Sequence, residues 1–285
     1  MSALAFFDVR NRRKRQRLIA NLLGILVFVV MVFPVYWMVA TSFKPGRDIL
    51  RIDPKFVPSP ATLSNFEDAI HRQYFWDNVK NSLVIVCTVV VLSLVIGFLA
   101  ALAIAKFNFY GRKAFIVLII GVQMLPLTAL IIPLYILMSR VGQVNRLSGV
   151  IAMYVAWVLP FTVWTLRGFM LGVPRELEEA AMVDGTTRFG AFARILLPLV
   201  APGLVATSIF AFIQAWNEFI IAYVFLHDPQ KQTLTVWLAS FTSLHGTDWG
   251  PLMAGATLTA LPVVVFFLLV QRRIAFGLTA GAVRG

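Results

Sequence analysis

Thiols, imidazoles and carboxylates are all scarce in this sequence, with one cysteine, three histidines and 13 Asp and Glu in 285 residues. The lone Cys87 stands inside an apolar block, which excludes a disulfide scaffold. His71, His227 and His245 do not pair at metal-ligand spacing, and His245 with Asp248 is the nearest approach to a ligand pair. No glycine loop ending in Gly-Lys-Ser or Gly-Lys-Thr is present, so any nucleotide energy must come from another subunit. Charged residues make up 13% of the chain, against roughly 25% in soluble domains, which excludes a water-soluble globule.

What is abundant is hydrocarbon. Hydrophobic residues reach 59%, gathered in blocks near the length of about 20 residues that a helix needs to cross a bilayer. Six spans are expected, near 18–40, 82–105, 114–138, 147–169, 199–223 and 252–270. All six should be helices, because backbone amides in lipid must be satisfied within their own segment. The expected fold is therefore an all-α integral membrane bundle, with a basic segment 1–17 before it, a membrane domain 18–276 and a tail 277–285.

The net charge of +12 could suggest a nucleic-acid partner, but Lys and Arg lie at block edges, as expected of residues that orient helices in a membrane. Arg10, Arg12, Arg13, Lys14, Arg15 and Arg17 precede the first span and should remain in the cytoplasm. Six crossings then place both termini inside, along with Lys106, Arg112, Lys113 and the basic residues from Arg167 to Arg194. The segment 41–81 falls outside. Its Leu63, Phe66, Ile70 and Tyr74 at near-helical spacing predict an amphipathic helix, serving either as an interfacial lid or as a docking surface.

Polar groups inside the spans are too sparse for a proton relay, which argues against a proton-driven transporter. No cluster of titratable residues supports a membrane enzyme. Prolines are more telling, since Pro34, Pro126, Pro133, Pro160, Pro202 and Pro262 interrupt every span but the second. Pro126 and Pro133 are expected to kink the third helix along one face, with Gln123 and Met124 one turn below. That kink would either line a pore or pack against neighbours. Gln123, Met124, Pro126, Trp157, Gln214, Trp216 and Asn217 are the candidate pore or substrate-lining residues, and Glu218 is the candidate gate.

The most polar segment between spans, 172–198, predicts two short helices. Pro174 suits a first turn, and Glu176, Glu178 and Glu179 follow where carboxylates meet the positive end of the helix dipole. Ala180 and Ala181 give a bare face, Asp184 and Gly185 a stop, and Phe189, Phe192 and Ile195 an apolar stripe before Leu197 and Pro198 re-enter the membrane. A bare face permits close approach of another protein, and a free glutamate can meet an arginine.

Glu179-Ala180-Ala181, three residues, Gly185, nine residues, Ile195, one residue, Leu197-Pro198 resembles the "EAA" coupling loop of ATP-binding-cassette importer permeases without departure. Ser42-Phe43-Lys44-Pro45, Asn81-Ser82-Leu83, Met124-Leu125-Pro126, Ala215-Trp216-Asn217-Glu218-Phe219 and the ending Gly277 to Gly285 are similar to the carbohydrate-uptake, MalG-like branch. The resemblance implies a type I importer permease in the bacterial cytoplasmic membrane. It would be paired with a second homologous permease, two ATPase subunits that carry ATP and Mg, and an extracytoplasmic sugar-binding protein. It implies no cofactor and no catalysis on this chain. Glu179, Ala180, Ala181, Asp184, Gly185, Ile195, Leu197 and Pro198 would couple to the ATPases, and Thr279, Ala280 and Gly281 would reach toward them. A permease for glycerol phosphate, an amino acid or phosphate is the alternative.

Overall fold

In the computed structural model, residues 3–244 and 246–282 are described, with side chains for 15–244 and 246–271. His245, the side chains of Thr279 and Ala280, and the surroundings of Gly281 therefore lie outside what is described. The chain is helical almost throughout. Among the described residues, five helices are long and apolar enough to cross a membrane, and a bent pair makes a sixth if taken as one span. The chain divides into two units, residues 1–71 with 241–258, and residues 72–240 with 259–285.

The first unit contains α1 (Ala3–Ser42), the short α2 (Gly46–Ile49) and α3 (Ser64–His71). It also holds a hairpin of β1 (Thr242–Ser243) and β2 (Gly246–Thr247), and the start of α13 (Trp249–Ala282), whose remainder belongs to the second unit. Residues 15–36 of α1 are exposed along their length, as an apolar helix is when lipid is its solvent. Asn65 ties this unit together: its buried amide donates to the carbonyl of Ser42 (2.9 Å), the last residue of α1, and to that of Lys44 (2.7 Å) just beyond it. Gly250 lies so close that a Cβ there would meet Asn65 Oδ1 at 2.3 Å. The expected amphipathic helix is real as α3, but its buried residues are Asn65 and Ala69. Leu63 is exposed and precedes the helix, and Tyr74 lies beyond it.

The second unit is built on α4 (Phe75–Lys106), α7 (Leu147–Leu171) and α10 (Leu197–Asn217), which pack mutually. Two close approaches make this possible. A Cβ on Gly97 would meet Thr162 Cγ2 at 2.5 Å, and one on Gly203 would meet the Phe169 ring at 2.5 Å, so glycine lets α7 close on both neighbours. The buried hydroxyls of Thr162 and Thr207 bond back to the carbonyls of Val158 and Gly203, which leaves no polar orphan at these contacts.

The third span departs from expectation. Instead of one kinked helix over 114–138, α5 (Arg112–Gln123) and α6 (Leu127–Arg140) meet at 104°. Met124 and Leu125 bond to carbonyls three residues back and tighten the end of α5, while Pro126, which has no N–H, is extended. Gln123, Met124 and Pro126 thus sit exposed at a break and do not share a helical face with Pro133, which lies within α6. The fifth span is also interrupted. It ends at Asn217, and α11 (Ile220–Phe225) restarts after Glu218, with α12 (Leu234–Ala239) following.

Candidate functional site

Segment 172–198 folds into α8 (Arg175–Val183) and α9 (Arg188–Ala191). Pro174 falls at the N-cap, one position before the expected first turn, and Glu176 and Glu178 occupy the acidic first turn. Gly185 has a φ of +86°, which ends α8 at a position where a side chain would be strained. Thr186 N–H returns to the Ala181 carbonyl at 3.0 Å, and Thr187 caps α9 by accepting from Gly190 N–H at 3.1 Å.

The second short helix is not separate. From Arg188 to Asn217 the backbone is one helical run of 30 residues, in which Phe192–Leu196 forms a π-helical turn. Pro198 has no N–H to donate to the carbonyl four residues back, and the ladder shifts register here, with Leu197 N–H reaching Phe192 O. Phe192 packs edge-on against Phe98 of α4 at 5.9 Å, which ties the turn to the bundle.

Sequence reasoning missed the anchor of α8. Lys106, the last residue of α4, pairs through Nζ with Glu178 at 2.6 Å and donates to the Val173 carbonyl at 3.2 Å, and Arg175 donates to the Lys106 carbonyl. Both members of the pair are largely covered, so removal of one strands the other. The available signal was a lysine closing an apolar span opposite a segment with three glutamates. With Glu178 used internally, Glu179 stays exposed, as do Ala180, Asp184 and Gly185, while Ala181 and Ile195 are half-buried and Leu197 and Pro198 face outward. A pocket of about 530 Å³ adjoins this surface, lined by Leu99, Leu102, Met182 and Phe189 and by the charged Lys106, Arg175, Glu178, Glu179 and Arg188.

Of the other predicted residues, Gln123, Met124 and Pro126 sit at the break between α5 and α6, and Gln214, Trp216, Asn217 and Glu218 at the end of α10. Trp216 is buried, stacked on Phe212, and spends its indole N–H on the Thr259 carbonyl, so it does not present a face to a passage. Trp157 and Asn217 are exposed and Gln214 is half-buried. Both carboxylate oxygens of Glu218 accept from the backbone, from Ile221 (2.8 Å) and Ala222 (3.2 Å), and so cap α11. The Glu218 carbonyl accepts from Thr235 and Tyr154. Asn81 donates to the carbonyls of Gln230 and Gln232, and Ser82 accepts from Leu234 N–H, so the Asn81-Ser82-Leu83 motif holds a loop.

A second charged cluster belongs to the first unit. Asp48 is buried between Lys55 (2.8 Å) and Arg51 (3.3 Å), and its hydrogen bond from Lys55 holds the carboxyl below the usual aspartate value. Lys44 is buried with Nζ 3.7 Å over the Trp37 ring. Burial lowers its ammonium from the usual lysine value, and the charge of Asp48 opposes that shift. Among the described residues no cluster of His, Cys, Asp and Glu could hold a metal.

Comparison with known proteins places this geometry in context. The chain is 44% identical over 265 residues to the diacetylchitobiose uptake system permease protein DasC of Streptomyces coelicolor, covering 93% of this chain and 96% of the relative. It is 34% identical over 278 residues to the trehalose/maltose transport system permease protein MalG of Thermococcus litoralis, covering 95% and 98%. Its fold matches a chain in the crystal structure of a bacterial ABC transporter involved in the import of the acidic polysaccharide alginate, with a TM-score of 0.78 at 22% identity over 92% of this chain and 97% of that one. Residues 93–279, from the middle of α4 through the EAA segment and most of α13, fit the model of one family, and this chain is a member of it: the binding-protein-dependent transport system inner membrane components.

Proposed function

We propose that this chain is the second permease subunit of an ATP-driven sugar importer, passing a disaccharide or oligosaccharide inward by alternating access. Both termini and the 172–198 segment lie in the cytoplasm in this reading, where the excess of Lys and Arg belongs. The observation that carries it is the division of labour in α8. Glu178 fastens the helix to α4 through Lys106, while Glu179 and Ala180 are left exposed, Glu179 lining the adjoining pocket. A cytosolic ATPase docks there, an arginine or lysine meeting Glu179. Closure of two ATPases on ATP moves the docked segment, and the helical run from Arg188 to Asn217 carries that movement into the bundle. A homologous permease completes the pore, and an external binding protein delivers the sugar. The sugar class is supported by relatives named for diacetylchitobiose and for trehalose/maltose.

The assembled transporter in proteoliposomes tests this reading. Glu179→Lys is expected to reduce uptake to background while the chain remains in the membrane, and normal uptake by that variant would refute the docking role. Offered maltose, trehalose, diacetylchitobiose, glycerol phosphate and amino acids, the wild-type assembly should move only sugars; import of the charged solutes alone would overturn the sugar class.

A further inference from the structure

A second pocket of the same unit has no place in coupling. It occupies about 670 Å³ at the turn between α4 and α5, where Asn108, Phe109, Tyr110, Arg112 and Lys113 face Arg167 of α7. The charge here is of one sign. Among the described residues, none of the three cations makes an ion pair, although Lys106 nearby does. Arg112 is held in place by local bonds, from Nε to the Ile104 carbonyl and from Nη1 to Asn108 Oδ1, both 2.8 Å, so its guanidinium is positioned without its charge being answered. Arg167 is half-buried beside the Trp164 ring, and its Nε is buried with no hydrogen-bond partner. A buried donor left open beside two unanswered cations is a cost that an anion would remove.

Surroundings identify the anion. Tyr110 is fully exposed and Phe109 a little under half so, and the next turns of α5 carry exposed Phe115, Val117 and Leu118. Aromatic side chains beside basic ones at the end of an apolar span are the dress of the bilayer interface, where phosphate groups and acyl chains are both at hand. Gly111 at the start of α5 has no side chain to cap the first turn, so the positive end of that helix adds to the same field. The geometry points to a headgroup site for an anionic phospholipid, with its phosphodiester between Arg112, Lys113 and Arg167 and its chains along α5. A free phosphate would satisfy the cations and leave the apolar flank unused.

The test uses the assembled transporter in nanodiscs of phosphatidylcholine alone or mixed with phosphatidylglycerol, with retained lipid counted by native mass spectrometry. Each cation near the surface strengthens attraction about fivefold, so Lys113→Gln with Arg167→Gln should weaken phosphatidylglycerol retention on the order of tenfold or more. Lys113→Arg with Arg167→Lys, which keeps the charge should the first pair fold poorly, should retain wild-type binding. Inorganic phosphate should not displace the lipid. Equal retention by wild type and the Gln pair would overturn the site, displacement by phosphate would reassign it to a soluble anion, and protection of Tyr110→Cys from maleimide by another subunit regardless of lipid would replace lipid with a protein partner.

Discussion

The Asp48 cluster and the α8 surface use the same chemistry to opposite ends. Asp48 is buried and answered on both oxygens by Lys55 and Arg51, whereas α8 answers Glu178 with Lys106 and leaves its neighbour Glu179 open. One carboxylate is spent on holding a fold together, and the other stands open on the surface. A part-buried ion pair is an anchor whose loss is felt as stability, and an exposed carboxylate is worth little to the fold by itself.

That contrast can be broken in order of effect. Glu179→Lys should lower sugar uptake about 100-fold or more, to background, and change thermal unfolding of the purified transporter by no more than about 0.5 kcal/mol. A matching loss of stability would erase the distinction. Asn65→Ala strands the buried carbonyls of Ser42 and Lys44 and should cost about 2–3 kcal/mol by denaturation, with uptake falling only as folded protein is lost. Lys106→Met or Glu178→Met alone should destabilise the chain more than the double replacement does, with a coupling of about 1–2 kcal/mol in a double-mutant cycle. Glu218→Ala removes the cap of α11 and should cost about 1 kcal/mol, the smallest of the set.

Acid sharpens the same comparison. Because the folded Asp48 carboxyl is held below its usual value, its contribution is present above the ordinary carboxylate range and is lost as pH falls through the depressed value. Stability curves of wild type and Asp48→Asn should therefore diverge at neutral pH and converge in acid; parallel curves would remove Asp48 from the account.

The sequence made the loop legible because each of its signals is local. Acidic residues open α8, Gly185 closes it with a positive φ, and the alanines between need no partner in order to be read. The six apolar blocks were equally plain, since length and composition alone define a span. What stayed hidden depends on partners far along the chain. Lys106 and Glu178 are separated by two whole spans, and nothing local tells which of three glutamates the lysine takes. A proline announces a fault in a helix but not its angle, so Pro126 was read as a kink where the chain turns through 104°. Trp216 drew attention as an aromatic beside polar neighbours, and only the packing of Phe212 shows that its ring is enclosed. Most motifs outside the loop mark places where helices end, and Asn81-Ser82 marks where one holds a loop. Ser42 to Pro45, Asn81 with Ser82, Met124 to Pro126 and Trp216 to Phe219 each lie at or near a terminus or a knot of backbone bonds.

The π-helical turn at Phe192–Leu196 carries a mechanical consequence. Such a turn holds one residue more than the regular spiral, and one residue of phase is about 100° around the axis of an α-helix. Straightening it would spin the azimuth of every side chain on one flank while the axis stayed put. At about 1.5 Å per residue, the 30 residues from Arg188 to Asn217 make a shaft of roughly 45 Å. A shaft with one residue of slack near its first end would turn a small twist there into a change in which side chains face inward at the other.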